Sequence, residues 1–343
     1  MTAPLRILAA GDAYVTADAF RRGLGDRLDP RHALEVFEVD ASRTAAGRTP
    51  SERRLREYSG SPDELVERLS GHDVLVVHGA AVSDAVLDRP GLRLVCCARG
   101  GPVNVDSGAA AARGIPVTTT PGKNANAVVE LTIAFLIMLA RGIRRSQDFL
   151  LQGGRLGQSA FEGAEFFGLE VSGRMLGLVG YGQVGRRVAR AATALGMRVC
   201  AYDPVIATGA FDAGVEAVSL EALLSMSEFV SLHARASCEN ENMIGAAELA
   251  AMRPGAFFIN TARESLVDDD ALHAALASGH LGGAALDVVR PAPGGVHPLL
   301  TLQNVVLTPH IGGATAETID RGIGMIAAEI ERFSNGDPLR NAL

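Results

Sequence analysis

The feature that most constrains the fold is a glycine spacing, Gly180-x-Gly182-x-x-Gly185, set between apolar runs. Met175 to Val179 lead into it, a short run of the kind shown by a strand buried on both faces of a parallel sheet. Val188, Ala191, Ala192 and Leu195 follow at helical spacing, and Gly196 stops that helix. A second apolar run, Met197 to Tyr202, then ends at Asp203. Strand, glycine turn, helix and strand in this order specify a βαβ unit. Gly180 permits the tight turn, Gly182 lets a pyrophosphate approach the backbone, and Gly185 lets the helix sit close to the strand. The free N–H groups at the helix start, around Gln183 and Val184, attract phosphate charge. Asp203 can accept hydrogen bonds from both ribose hydroxyls and would repel a 2′-phosphate, so the unit is expected to take NAD rather than NADP.

Composition frames that unit. A chain of 343 residues has room for two domains with full cores. At 48% hydrophobic and 21% charged it reads as globular, not disordered. The net charge of −7 weighs against nucleic acid or an anionic membrane as a partner. Positive charge is almost wholly Arg; Lys123 is the one lysine, which reads as compositional bias. Cys96, Cys97, Cys200 and Cys238 form no CxxC pair, and three of them lie in or beside apolar runs. That pattern suits a reduced intracellular chain, with no disulfide framework and no metal site. Met1 to Ile7 holds no apolar signal region. The longest apolar stretch, Ala127 to Ala140, is 14 residues and contains Glu130, too short and too charged to span a bilayer. A cytoplasmic protein is the expectation.

Along the chain, the first 120 residues alternate strands (6–10, 36–39, 74–78, 92–98, 115–119) with helical segments (16–28, 63–69, 106–113), and Gly11 stands there without a phosphate-binding glycine loop. They read as a smaller α/β domain, with the polar stretch Ala41–Ser61 as a surface excursion. Asn124 is expected to N-cap a long apolar helix, 125–141, that crosses between domains or forms a dimer contact. A glycine-rich stretch, Gly153–Gly173 with Phe161, Phe166 and Phe167, precedes the nucleotide motif. Strands at 229–233, 256–260, 284–288 and 305–307 and helices at 220–226, 246–251 and 269–277 then complete a doubly wound sheet. Ala316 to Ser334 forms one last helix with room to return to the first domain.

Ligands of such a sheet bind beyond the carboxyl ends of its strands. Those positions hold Asp203, His233, Asn260 to Arg263, Asp287 and His310. An Arg fork at 263 can grip a carboxylate, and an imidazole at 310 can exchange a proton with a hydroxyl near neutral pH. With NAD, that pair suits a 2-hydroxy acid. His233 reads as a wall of the cofactor pocket.

Assembled, these residues resemble the D-isomer-specific 2-hydroxyacid dehydrogenases, the family of phosphoglycerate, glycerate and hydroxypyruvate dehydrogenases. The likeness runs nearly continuously from Leu92 to Leu343. It rests on Gly101-Pro102-Val103-Asn104-Val105-Asp106, Thr120-Pro121-Gly122-Lys123-Asn124-Ala125, the Gly180 motif, Val230-Ser231-Leu232-His233, Ile259-Asn260-Thr261-Ala262-Arg263, Ala285-Leu286-Asp287-Val288 and Thr308-Pro309-His310-Ile311-Gly312-Gly313. The resemblance implies an α/β protein of two domains. A Rossmann-type doubly wound parallel sheet over 121–312 would bind NAD. A smaller flavodoxin-like substrate domain would be built from 1–120 and completed by 313–343. The cleft would lie between them, and the subunit would pair as a homodimer. By motif position, Arg263 would orient the carboxylate and carbonyl of a small 2-hydroxy or 2-oxo acid, and His310 would be the general acid/base. Asp287 would contact the nicotinamide carboxamide, Thr261 and Ala262 would line the cofactor site, and the Gly100 and Gly101 amides would hold the substrate carboxylate.

One departure matters. The family usually carries a Glu five residues after the Asp of its Leu-Asp-Val motif, paired with the catalytic His, and here that position is Ala292. Arg290 stands where an acid is common. The imidazolium form of His310 thus lacks its usual counter-charge, and an altered pH profile is expected. Arg99, before Gly100, reads either as a cation for a second acidic group of the substrate or as a surface residue turned away. The chain ends soon after Asn335–Leu339, so an amino-acid-binding regulatory domain is not expected. An alternative to the dehydrogenase is a non-enzymatic NADH sensor on the same fold, which Ala292 favours and the intact Arg263 and His310 oppose. A third is a relative with different chemistry, as in formate dehydrogenases, but those replace that Glu with a polar amide, a pattern that Ala292 does not fit.

Overall fold

Two sheets, both wholly parallel, carry the molecule. The computed structural model describes residues 4–44, 46–154, 162–292 and 294–343; Phe161 lies outside the described residues. The first sheet holds β1 (Arg6–Gly11), β2 (Ala33–Glu38), β3 (Val74–Val77), β4 (Leu94–Cys97) and β5 (Val117–Thr118), in the order β2-β1-β3-β4-β5. The second holds β6 (Met175–Val179), β7 (Arg198–Tyr202), β8 (Val215–Ala217), β9 (Phe229–Leu232), β10 (Phe257–Asn260), β11 (Gly283–Leu286) and β12 (Val305–Leu307), in the order β12-β11-β10-β9-β6-β7-β8. These are the flavodoxin-like and Rossmann orders, with strand order reversing between β1 and β3 in one and between β6 and β9 in the other. The chain divides into two compact units, Met1–Lys123 with Ala314–Leu343 (unit 1) and Asn124–Gly313 (unit 2).

Strands buried on both faces are apolar at nearly every position, and β3, β4, β6, β9 and β11 are buried throughout, with Ser231 of β9 the one hydroxyl among them. In unit 1 one face of the sheet packs Leu8, Leu75 and Val95 against Leu65 and Val86. The other packs Ile7, Val74 and Leu94 against Phe20 and the last helix, Ala316–Asn335, through Ile323, Ile326 and Ile330. The tail beyond that helix pairs with β5: Leu343 N–H donates to Val117 O at 3.0 Å and Thr119 N–H to Asn341 O at 3.0 Å. In unit 2 the Ala125–Arg141 helix buries Phe135, Leu136 and Leu139 in the same cluster as Leu176 and Val188. No single described helix is long and apolar enough to cross a membrane.

Two local expectations change. Asn124 precedes the Ala125–Arg141 helix but its side chain makes no cap, because its own backbone is already near-helical (φ −100°, ψ 4°) and a capping side chain needs an extended residue. The polar stretch 41–61 is no mere surface excursion. Ser51 and Glu52 are buried, Ser51 Oγ donates to Asp106 Oδ2 at 2.5 Å, and Glu52 Oε2 accepts from Arg48 N at 2.6 Å. Polar composition hid a tether made of hydrogen bonds.

Candidate functional site

In unit 2 the turn after β6 shows why each glycine is there. Gly180 has φ +97°, and a methyl group on it would lie 2.5 Å from Ala234 N. A methyl at Gly185 would lie 2.3 Å from Gly180 O, so only glycine lets the helix approach. Gly182 is the reverse: nothing lies within 4 Å of where its Cβ would be. The Gln183–Ala194 helix starts there with no side-chain cap, and the amides of Gly182, Gln183, Val184 and Gly185 donate to no group among the described residues. Four orphan donors and the positive end of a helix dipole around open space fit a pyrophosphate. Asp203, beyond β7, accepts from Tyr181 N at 2.8 Å on Oδ2 and from Val205 N at 3.0 Å on Oδ1, which fixes the carboxylate at the strand end. His233 pairs its Nε2 with Ser231 Oγ at 3.0 Å, and burial pulls its pKa down to about 3, so the ring is a neutral wall.

The same carboxyl edge carries two exposed side chains on stapled turns. After β10, buried Asn260 accepts from Ala262 N at 2.9 Å and donates through Nδ2 to Arg263 O at 2.9 Å, closing the turn that presents Arg263. Thr261 bonds Thr132 through the two hydroxyls at 2.9 Å, tying this turn to the Ala125–Arg141 helix. After β11, Asp287, 2% exposed, accepts from Thr308 Oγ1 at 2.6 Å, Ile311 N at 2.8 Å and Gly312 N at 2.7 Å. These bonds clamp the turn that presents His310, whose backbone is left-handed (φ +55°) and whose N–H donates to Asp287 O at 3.0 Å. Such a conformation persists only where its surroundings impose it. A methyl at Gly312 would sit 2.7 Å from Asp287 Oδ2, so that glycine is what lets the clamp close. One acceptor position, on Oδ2, remains for a further donor. Asp287 N–H donates to Asn260 O at 2.9 Å, which joins the two staples.

Arg263, after β10, and His310, after β12, thus flank the end of β11 at the carboxyl edge of the sheet that carries the open glycine turn. Ion pairs to histidine among the described residues involve His32, His72, His78 and His297, not His310. In unit 1, Arg99 is not turned to solvent. It pairs with Glu57 Oε2 at 2.9 Å and also donates to Glu57 O at 2.9 Å. Gly100 and Gly101 present amides that donate to no described group. Among the described residues no group of three His, Cys, Asp or Glu is placed to hold a metal. The staples were missed at the sequence level; their signal was a polar residue closing each apolar strand run, Asn260 and Asp287.

Residues 133–312, just over half of the chain, match the family model described as D-isomer specific 2-hydroxyacid dehydrogenase, NAD binding domain. A glyoxylate reductase of Korarchaeum cryptofilum is 35% identical over 326 residues, covering 94% of this chain and 93% of its own. A D-3-phosphoglycerate dehydrogenase of Archaeoglobus fulgidus is 35% identical over 288 residues, covering 82% of this chain and 53% of its own. The chain spans about half the length of the phosphoglycerate dehydrogenases it matches. Among solved structures, the TT0316 protein of Thermus thermophilus superposes with a TM-score of 0.80 at 32% identity, over 99% of this chain and 100% of its own.

Proposed function

The chain belongs to the D-isomer specific 2-hydroxyacid dehydrogenase family, and on that premise we propose that it is an NAD-dependent oxidoreductase of a D-2-hydroxy acid and its 2-oxo acid. The observation that carries this reading is the pair of stapled turns presenting Arg263 and His310 on the sheet that holds the open glycine turn. Bound NAD supplies the hydride acceptor. Arg263 takes the acid's carboxylate in its guanidinium fork, which aims the C2 carbon. His310 Nε2 or Nδ1 removes the hydroxyl proton as the C2 hydrogen leaves as hydride, and returns it to the carbonyl oxygen in the reverse direction. Asp287 and Asn260 bond the backbone of the turns that carry these two side chains and so position them.

The test is NADH formation or consumption across D- and L-2-hydroxy acids and their 2-oxo acids, with His310→Ala alongside. Turnover on a D-acid, lost at least a hundredfold in the variant, supports the reading. NADH binding with no turnover on any acid contradicts it and favours the sensor, whose support is the absent carboxylate at Ala292. Ala292→Glu gives a second handle. A carboxylate at that position should change the pH dependence of turnover, and an unchanged profile counts against the pairing.

A further inference from the structure

Lys123 is the one lysine of the chain, and it is 7% exposed at the carboxyl edge of the unit 1 sheet. Its stem lies along Gly322 of the last helix, where a methyl group would meet Lys123 Cδ at 3.0 Å. Its backbone is fixed at both ends, since its N–H donates to Thr120 O at 3.4 Å and its carbonyl accepts from Arg321 Nη1. Its ammonium has no hydrogen-bond or ion-pair partner among the described residues.

Every candidate counter-charge nearby is already engaged. The Asp12 carboxylate accepts from Tyr14 N at 2.8 Å, Val15 N at 2.9 Å, His78 Nδ1 at 3.0 Å and Gly79 N at 2.6 Å. Glu57 is held by Arg99. Burial pushes the Cys97 thiol up to about 11, so it stays neutral. Burial also pulls Lys123 down, to about 8, which leaves it mostly charged at pH 7. Lys123 is buried along its stem while its ammonium nitrogen still reaches solvent, so an anion can reach the charge. The surrounding turns offer hydrogen-bond donors of their own. Thr120 Oγ1 and Arg99 Nε are buried without partners, and the unbonded amides of Gly100 and Gly101 lie on a turn beside 120–121, with a Gly100 methyl 3.7 Å from Pro121 Cα.

We infer that the turns 99–101 and 120–123 of unit 1 form an anion cradle in which the Lys123 ammonium is the counter-charge to a carboxylate or phosphate of the acid substrate. The assignment rests on the reading of that substrate as an acid and adds a residue to its recognition. It also moves the available cation from Arg99, which Glu57 neutralises, to Lys123.

Because Lys123 is the one lysine, full-length protein labelled with ε-¹³C lysine gives a single side-chain resonance that can be titrated with pH by NMR. The probes are D-lactate with one carboxylate, D-malate with two, D-3-phosphoglycerate with a carboxylate and a phosphate, and inorganic phosphate alone. The titration midpoint should rise by about one pH unit or more with the anion that fits. A rise with D-lactate assigns Lys123 to the shared carboxylate; a rise confined to the doubly charged acids or phosphate assigns it to the distal group. A midpoint unmoved by all four overturns the inference. NADH turnover on an acid that leaves the resonance unmoved would overturn it while the oxidoreductase reading stood, and a moved resonance without turnover would do the reverse. Lys123→Met, which keeps the stem, should raise KM for the acid at least tenfold, leave NADH affinity unchanged and not lower Tm, since it removes a buried charge. An unchanged KM would count against the role.

Discussion

Each unit carries a strand through a glycine into a helix, and the two finish that turn differently. In unit 1, β1 leads through Gly11 to a helix, Ala17–Gly25, whose N-cap is Thr16; its hydroxyl accepts from Ala19 N at 3.2 Å. Glu38, at the end of β2, reaches back and accepts from Ala17 N at 2.7 Å. The helix start is therefore closed by the protein's own oxygens. In unit 2 the N-cap is Gly182, which has no side chain, and the acid at the next strand end, Asp203, bonds Tyr181 N and Val205 N instead of the helix. The helix start stays open, with its amides unsatisfied. Both turns join a strand to a helix and have a carboxylate at the end of the next strand; the N-cap residue and the amides that carboxylate bonds separate a closed structural turn from an open phosphate site.

That comparison can be broken at several points. The largest effects should come from the glycines both turns require. Gly180→Ala meets a positive φ and a backbone contact, and Gly11→Ala would place a methyl 2.1 Å from Ala17 N. Each should lose about 3 kcal/mol or more of stability in its unit, read by denaturant unfolding. Next comes pH. His233 titrates near 3 in the folded chain against an unperturbed 6.5. Below pH 6.5 the unfolded chain therefore takes up a proton that the folded one refuses, and stability falls on acidification. Between pH 7 and pH 5 the loss in unit 2 should reach about 2 kcal/mol, and His233→Asn should flatten it. Smaller effects distinguish the two acids. Asp203→Ala should weaken NADH binding about tenfold, roughly 1.4 kcal/mol, and narrow the preference over NADPH. Glu38→Ala should cost about 1 kcal/mol of stability and leave NADH affinity untouched. Loss of NADH affinity in the Glu38 variant would mean the turns are not distinct in the way described.

The fold was legible because its strands are buried on both faces, so continuous apolar runs such as Met175–Val179 and Phe229–Leu232 mark them directly. The glycine turn was legible because backbone geometry there admits one residue type. The short β8 and the Ile143–Leu151 helix were not anticipated; β8 is only three residues long, and the helix buries no residue completely. At the candidate site, Arg263 and His310 could be named from their place after apolar runs. What holds them could not. The staple from Asp287 to Thr308, Ile311 and Gly312 is long-range, and no local pattern reports which amides a buried carboxylate will reach. Lys123 shows the same limit. Read as composition it looked like an Arg bias, and only burial without a partner gives it meaning.

The most direct measurement is NADH affinity and Tm for Gly182→Thr, which gives the unit 2 turn the N-cap of unit 1. Gly182 is extended (φ −76°, ψ −153°) and its Cβ would meet open space, so the fold should accept the change with Tm equal or slightly raised. NADH affinity should fall at least tenfold, because the new hydroxyl satisfies the amides that the pyrophosphate needs. Unchanged affinity with an intact fold would contradict the account, since the open helix start would then not be where the dinucleotide binds.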